Sequence, residues 1–393
     1  MRFLRKIFDC AGEVFRPGRP LERLFPLFEA VDTFLFTPGE TPRCAPFVRD
    51  AADLKRVMVT VIAALLPSAL FGIYNTGYQA ILASGKEPAL MEAMMLGAHI
   101  VLPIILVSYL AGGFWEVLFA CVRKRTISEG FLVTGLLFAL TLPATIPLWQ
   151  VAVGVSFGVV IGKEVFGGTG MNLVNPALAG RAFLFFAYPA SISGDTVWVA
   201  VDGVTRATPL SVVASAPAGT NPVELLVSRG YDWSALFFGF CPGSIGETSR
   251  LACCVGLGVL LIAGVASWRI VVGCVLGLLA VSGLLLFFAG PQASAFMRLP
   301  PYWHMVLGSF AFGAVFMATD PVSSAATSFG RWVYGFCIGA LVVVIRVFNP
   351  AYPEGTMLAI LLMNIFAPLL DFVAVEWHVT RRNHRLQGAK GGR

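Results

Sequence analysis

Between residues 57 and 375 the chain repeats one pattern: some twenty apolar residues, a short polar interruption, then apolar residues again. A helix of about 20 residues spans the ~30 Å hydrocarbon core of a bilayer. Only 13% of the 393 residues are charged and 57% are hydrophobic, whereas an ordinary soluble domain is roughly 25% charged. A soluble fold is thereby excluded. Helices satisfy their own backbone groups in lipid, so the expected class is an all-α polytopic membrane protein.

Ten spans are predicted: 57–77, 97–121, 130–148, 150–166, 177–192, 251–268, 270–289, 303–319, 331–348 and 356–375. Several are interrupted by Gly or Pro. An even number places both termini on one side. With the N-terminus inside, the inner segments carry 21 Lys and Arg and the outer ones six, as expected when basic residues stay in the cytoplasm. The predicted organisation is a cytoplasmic segment 1–56 with amphipathic helices, a first membrane repeat 57–192, an outer loop 193–250, a second repeat 251–375 and a basic cytoplasmic tail 376–393. The opening stretch is broken by charge every few residues and lacks the apolar core of a signal peptide. The net charge of +6 fits cytoplasmic anchoring rather than nucleic-acid binding, and the eight cysteines form no CxxC pair.

The halves echo one another. "LWQVAVGVSFG" (148–158) and "YWHMVLGSFAFG" (302–313) share Trp-x4-Gly and a following Phe-Gly, and each precedes a Gly- or Ser-rich break. Five spans per half is odd, which gives the halves opposite orientations, the arrangement of inverted repeats with broken helices.

Ionisable residues in apolar segments are costly and mark function or a specific partner. Arg181 lies inside a predicted span and needs a carboxylate, phosphate or set of carbonyls. Glu116, Asp320 and Asp371 sit nearer span ends, where reaching the interface is a competing reading. Asn172 and Asn175 lie in the Gly-rich break, where their amides suit a planar heterocycle with an N–C=O edge, or simply cap turns. In the outer loop, Thr208-Pro209 reads as a helix start, with Asp202, Thr205 and Arg206 just before it.

The stretches "GKEVFGGTGMNLVNPALAGRAFLFFAYPASISGDTVW", "DGVTRATPL" and "AGGFWEVLFACVRKR" resemble, in collinear order, the B subunits of sodium-translocating NADH:quinone reductases. The resemblance runs from about residue 50 to 380. It includes the flavinylation signature D-x-x-[S/T]-x-A-T, here Asp202, Thr205, Ala207 and Thr208. It implies FMN joined through its phosphate to Thr208 by a separate flavin transferase, on the outer side of a bacterial inner membrane. Arg206 and the helix start would favour the phosphate.

The resemblance further implies a non-covalent riboflavin, with Asn172, Asn175 and Asp320 as candidates, and a ubiquinone site at Gly112, Gly113 and Phe131. The family often has two phenylalanines where this chain has Phe131-Leu132. Glu116 and Asp371 are the acids associated with Na+ uptake. Electrons would pass from a partner's flavin to the flavin on Thr208, then to riboflavin and quinone. The partners implied complete a six-subunit complex: an NADH/FAD/iron–sulfur subunit, a second flavinylated subunit and membrane iron–sulfur subunits. This chain shows no nucleotide-binding GxGxxG after a strand and no iron–sulfur cysteine set. A second S-x-A-T, Ser324 to Thr327, has its aspartate seven residues before the threonine instead of six and is expected to stay unmodified. The alternatives are the related membrane subunit of ferredoxin:NAD reductase (Rnf) complexes, which shares the flavinyl threonine, and a small-solute channel or transporter, which would carry no flavin.

Overall fold

The computed structural model describes residues 54–391 except 126, 128, 129, 202, 350 and 351, together with positions 15, 25, 28 and 32. Asp202 and nearly all of the predicted N-terminal segment therefore lie outside the described residues. The described chain is helical, with α1 (Leu54–Ala83), α2 (Leu90–Arg123), α3 (Gly130–Leu140), α4 (Leu148–Gly162) and α5 (Pro176–Ala187) in the first half. A short α6 (Pro209–Ala214) lies in the loop between the halves. The second half contains α7 (Arg250–Ile262), α8 (Trp268–Phe288), a broken stretch from 301 to 317, α9 (Ser328–Phe348) and α10 (Thr356–Gly391).

Six segments, covering α1, α2, α4, α8, α9 and α10, are long and apolar enough to cross a membrane, and α3, α5 and α7 are shorter apolar helices. The 34-residue α2 shows how such a helix is oriented. Its buried positions, Ala93, Gly97, Val101, Ile104, Ser108, Gly112, Glu116 and Ala120, recur every three or four residues. Leu102, Leu106 and Leu110 face outward. Small and polar residues point in and leucines point out, because lipid tails solvate leucine while close packing needs small side chains. Where α1 crosses α2, a Cβ on Gly97 would strike the Ile73 carbonyl; where α8 crosses α9, one on Gly277 would strike the Phe336 carbonyl.

The halves share part of their packing order, although α1 lies against α2 and α7 has no such contact with α8. The second helix lies against the fourth (α2 on α4, α8 on α9), the fourth against the fifth (α4 on α5, α9 on α10), and the first helices α1 and α7 meet each other. By this order the counterpart of the broken 301–317 stretch is α3 with residues 141–147. The sequence echo pointed instead to 148–158, which folds as the continuous α4.

The third predicted span is corrected in kind. It is not a helix over 130–148 but an 11-residue half-helix ending at Leu140, ahead of Pro143 and Pro147. Its freed carbonyls do not go unpaired. Gly246 N–H donates to Leu140 O at 2.7 Å and Ile245 N–H to Leu142 O at 3.1 Å, so irregular backbone of the loop between the halves satisfies that of the broken helix, among buried residues where water is scarce. The span predicted over 177–192 is likewise broken at Tyr188-Pro189. Proline disfavours helical geometry in the residue before it.

The eighth predicted span, 303–319, is a helical turn (Pro301–Val306), a non-helical link, and a segment (Phe310–Phe312) running into a π-turn (Gly313–Met317). Its open carbonyls are met by two buried arginines. Arg346 donates to His304 O and Leu307 O, both at 2.7 Å, and Arg250 donates to Gly308 O at 2.8 Å. Helix α10 runs on through the segment expected to be a separate basic tail.

Candidate functional site

Thr208 is the N-cap of α6: its Oγ1 accepts from Ser211 N–H at 3.1 Å, and Pro209 fills the first helical position. The same side chain lines a cavity of about 430 Å³, within the range of small-molecule pockets. The loop around it is tied down locally. Ser211 Oγ donates to Asp195 Oδ1 at 2.8 Å, Arg206 N–H to Asp195 O at 3.0 Å, and the Tyr231 hydroxyl to Ala207 O at 2.8 Å. The Arg206 guanidinium donates to Gln79 Oε1 at 2.8 Å, engaging α1 instead of the start of α6. Thr205 is exposed.

Arg181 lines this same cavity. Its side chain is buried, with Nη1 2.8 Å from Glu247 Oε1 and Nη2 3.1 Å from Glu354 Oε2 and 3.3 Å from Ser244 Oγ. Of the partners open to this guanidinium from the sequence (a carboxylate, a phosphate or a set of carbonyls), the fold supplies two carboxylates. Burial pushes the Glu247 carboxyl up; Arg181 pulls it down and Glu354 pushes it up again. Sequence reasoning did not find Glu247, Glu354 or Asp195. They lie in polar loops with no local feature that says which loop returns to which helix.

Asn172, Asn175 and Asp320 also come together, around a second cavity of about 70 Å³ that Lys163, Thr134 and Thr169 share. Here the turn-forming reading has structural substance. Asn175 caps α5 by accepting from Ala177 and Leu178 N–H. Asn172 donates to Val174 O. Asp320 accepts from Val322 N–H and Ser323 Oγ. One buried group remains without a hydrogen-bond partner, the Thr169 hydroxyl.

The two acids associated with cation uptake are held separately. Glu116 accepts both from Lys163 Nζ, at 2.9 and 2.7 Å, with both side chains buried. Arg123 pairs with the neighbouring Glu164 at 3.1 Å. Asp371 instead reaches the start of α9, where it accepts from Ala326 N–H (2.7 Å), Thr327 N–H (2.8 Å) and Thr327 Oγ1 (2.6 Å). Removing these acceptors by Asp371→Ala is expected to lower stability by about 1 kcal/mol, read as an earlier thermal transition in detergent. Among the described residues no group of three or more His, Cys, Asp or Glu is placed to hold a metal ion.

Gly112, Gly113 and Phe131 lie together. The space above the glycines is filled by the protein itself. A Cβ on Gly112 would lie 2.5 Å from Phe131 Cε2 and 3.1 Å from Val155 Cγ2, whereas one on Gly113 would sit 3.5 Å from the ring. Tyr109 packs edge-on against Phe131 at 6.0 Å and donates to Leu132 O at 2.8 Å. Gly112→Ala is therefore expected to cost about 1–3 kcal/mol by overpacking and Gly113→Ala close to nothing, a difference that thermal unfolding in detergent resolves.

Comparison with known proteins places this geometry in context. The model of the NQR2, RnfD, RnfE family matches residues 41–379. Among curated proteins, the Na(+)-translocating NADH-quinone reductase B subunit of Ectopseudomonas mendocina is 49% identical, covering 96% of this chain and 98% of its own length. The proteins of the same name from Pseudomonas aeruginosa strain LESB58 and Azotobacter vinelandii are also 49% identical, over the same shares.

Proposed function

We propose, from the premise that this chain belongs to the NQR2, RnfD, RnfE family, that it is the membrane redox subunit of a Na+-translocating NADH-quinone reductase and carries FMN on Thr208. The observation that supports this most is a contrast between two threonines in similar motifs. Thr208 Oγ1 accepts one backbone hydrogen bond, faces a cavity of about 430 Å³ and meets no acceptor for its own proton among the described residues. Thr327 Oγ1 accepts from Gly330 N–H and gives its proton to Asp371 at 2.6 Å. Thr208 is available for esterification and Thr327 is engaged.

The residues present fit the group. A flavin supplies one- or two-electron transfer, with its potential set by its surroundings. Thr208 would tether it by the phosphate, and Phe185, Trp198 and Met357 offer apolar walls beside the charged Arg181. Mass spectrometry of the peptide containing Thr208, from cells that hold the flavin transferase, should show the mass of FMN less one water. An unmodified peptide would remove the reading and favour a solute channel.

The finer assignments differ in how well the residues suit them. Asn172, Asn175 and Asp320 have the chemistry for riboflavin, but 70 Å³ holds about two waters at ~30 Å³ each. A tricyclic ring does not fit that cavity, so no electron step is drawn through it. Quinone at Gly112 and Gly113 requires Phe131 to swing aside. A cation taken up at Glu116 must compete with Lys163. We place this chain in the bacterial inner membrane with both termini cytoplasmic, alongside an NADH-oxidising subunit, a second flavinylated subunit and iron–sulfur subunits. That placement accords with the distribution of basic residues.

A further inference from the structure

We propose that Tyr352 is a positioning residue for the flavin on Thr208, its phenol donating to the pyrimidine edge of the ring beside the Arg181 guanidinium. This rests on the reading of Thr208 above and names the wall of the cavity that the ring meets.

Tyr352 lies in the outer loop between α9 and α10, lines the same cavity as Thr208 and Arg181, and is 7% exposed. Its hydroxyl is buried near the Glu354 carboxylate without meeting hydrogen-bond geometry there, and it has no other partner. A buried hydroxyl left unpaired is unfavourable, and one that borders a cavity is naturally completed by the molecule that fills it. The phenol is also held in place. Its ring packs on Phe185 with centroids 4.4 Å apart and planes at 59°.

Next to it, Arg181 is fixed by Glu247, Ser244 and Glu354. Those contacts use three of the five N–H donors of a guanidinium. This wall offers a neutral donor, a cation and a carboxylate side by side. An isoalloxazine carries the complement on one edge: acceptors at N1, C2=O and C4=O, and a donor at N3–H. The faces of that ring are apolar, like Phe185 and Met357 in the lining of the same cavity.

Reduction of the ring by two electrons and one proton gathers negative charge on N1–C2=O. A donor there binds the reduced ring more strongly than the oxidised one, so Tyr352 raises the flavin's potential. In the test, dithionite supplies the electrons and buffer supplies the proton.

The full chain is co-expressed with the flavin transferase, purified in detergent and titrated anaerobically while the visible flavin spectrum is followed. Tyr352→Phe should keep a covalent fluorescent band of wild-type intensity but lower the midpoint potential. A tenfold loss of preference for the reduced ring corresponds to about 30 mV for a two-electron couple. Incorporation of 3-fluorotyrosine at 352, which keeps the shape and strengthens the donor, should move the potential the opposite way; it serves as the test if the phenylalanine variant fails to accumulate. Fluorescent variants with an unchanged potential and spectrum overturn this proposal and leave the Thr208 assignment standing. Wild-type protein without a fluorescent band overturns both.

Discussion

Thr208→Ala leaves the denatured subunit dark under ultraviolet light, where the wild-type chain made alongside the flavin transferase gives a fluorescent band. The effect is expected to be complete, because a phosphoester needs the hydroxyl oxygen and no neighbouring residue can substitute for it. The nearest hydroxyls in sequence are Thr205, which occupies the [S/T] position inside the signature, and Ser211, whose Oγ is bound to Asp195. The alanine also removes the N-cap of α6, a loss worth about 1 kcal/mol. Thr208→Asn separates the two effects: asparagine caps well but cannot be esterified, so this variant should be equally dark yet keep the wild-type melting behaviour. Thr327→Ala should remain as bright as wild type. Fluorescence surviving in Thr208→Asn would show that the flavin is attached elsewhere.

The largest stability effect is expected at Arg181. Arg181→Met leaves Glu247 and Glu354 facing each other in a buried site with their shared cation gone, and breaking a buried pair in this way costs about 3–5 kcal/mol. The loss should depend on pH. Burial already raises the folded-state pKa of Glu247, and removing Arg181 raises it further. A carboxyl whose folded pKa lies above its unfolded value favours the folded state at low pH, and that contribution is lost as pH rises toward the folded pKa. The groups facing Glu247 that shape this dependence are Glu354, Ser244 and Tyr352. The melting deficit of Arg181→Met should therefore shrink on acidification, and Arg181→Met/Glu247→Gln should recover part of it at neutral pH. A deficit below about 1 kcal/mol, or one insensitive to pH, would show that the cluster is solvated in practice.

Much of this arrangement could be read from the residues alone. The hydropathy pattern gives the long helices, since a continuous apolar run has few other fates in lipid. It could not separate a crossing helix from a half-helix, because residues 130–148 are as apolar as a full span. Only the prolines at 143 and 147 hinted at the break. Arg181 announced its need for a partner by lying inside an apolar run, without saying whether carboxylate, phosphate or carbonyls; the carboxylates that meet it come from loops 66 and 173 residues away along the chain. Arg250 and Arg346 gave no such signal. At the edges of apolar runs they count only among the six outer basic residues, and in the fold they serve the carbonyls of a broken helix. Thr208 was legible as a cap from its proline, whereas Arg206 looked free to meet a phosphate and in fact binds Gln79.

The two main-chain bonds from residues 245 and 246 to Leu142 and Leu140 have a mechanical consequence. They stitch a strip of the loop that joins the halves to the interrupted helix of the first half, among buried residues where little water waits to take over a released amide. Sliding that loop along the end of α3 would mean tearing out both stitches at once. A shape change that keeps both bonds carries this strip and the end of α3 together as one body.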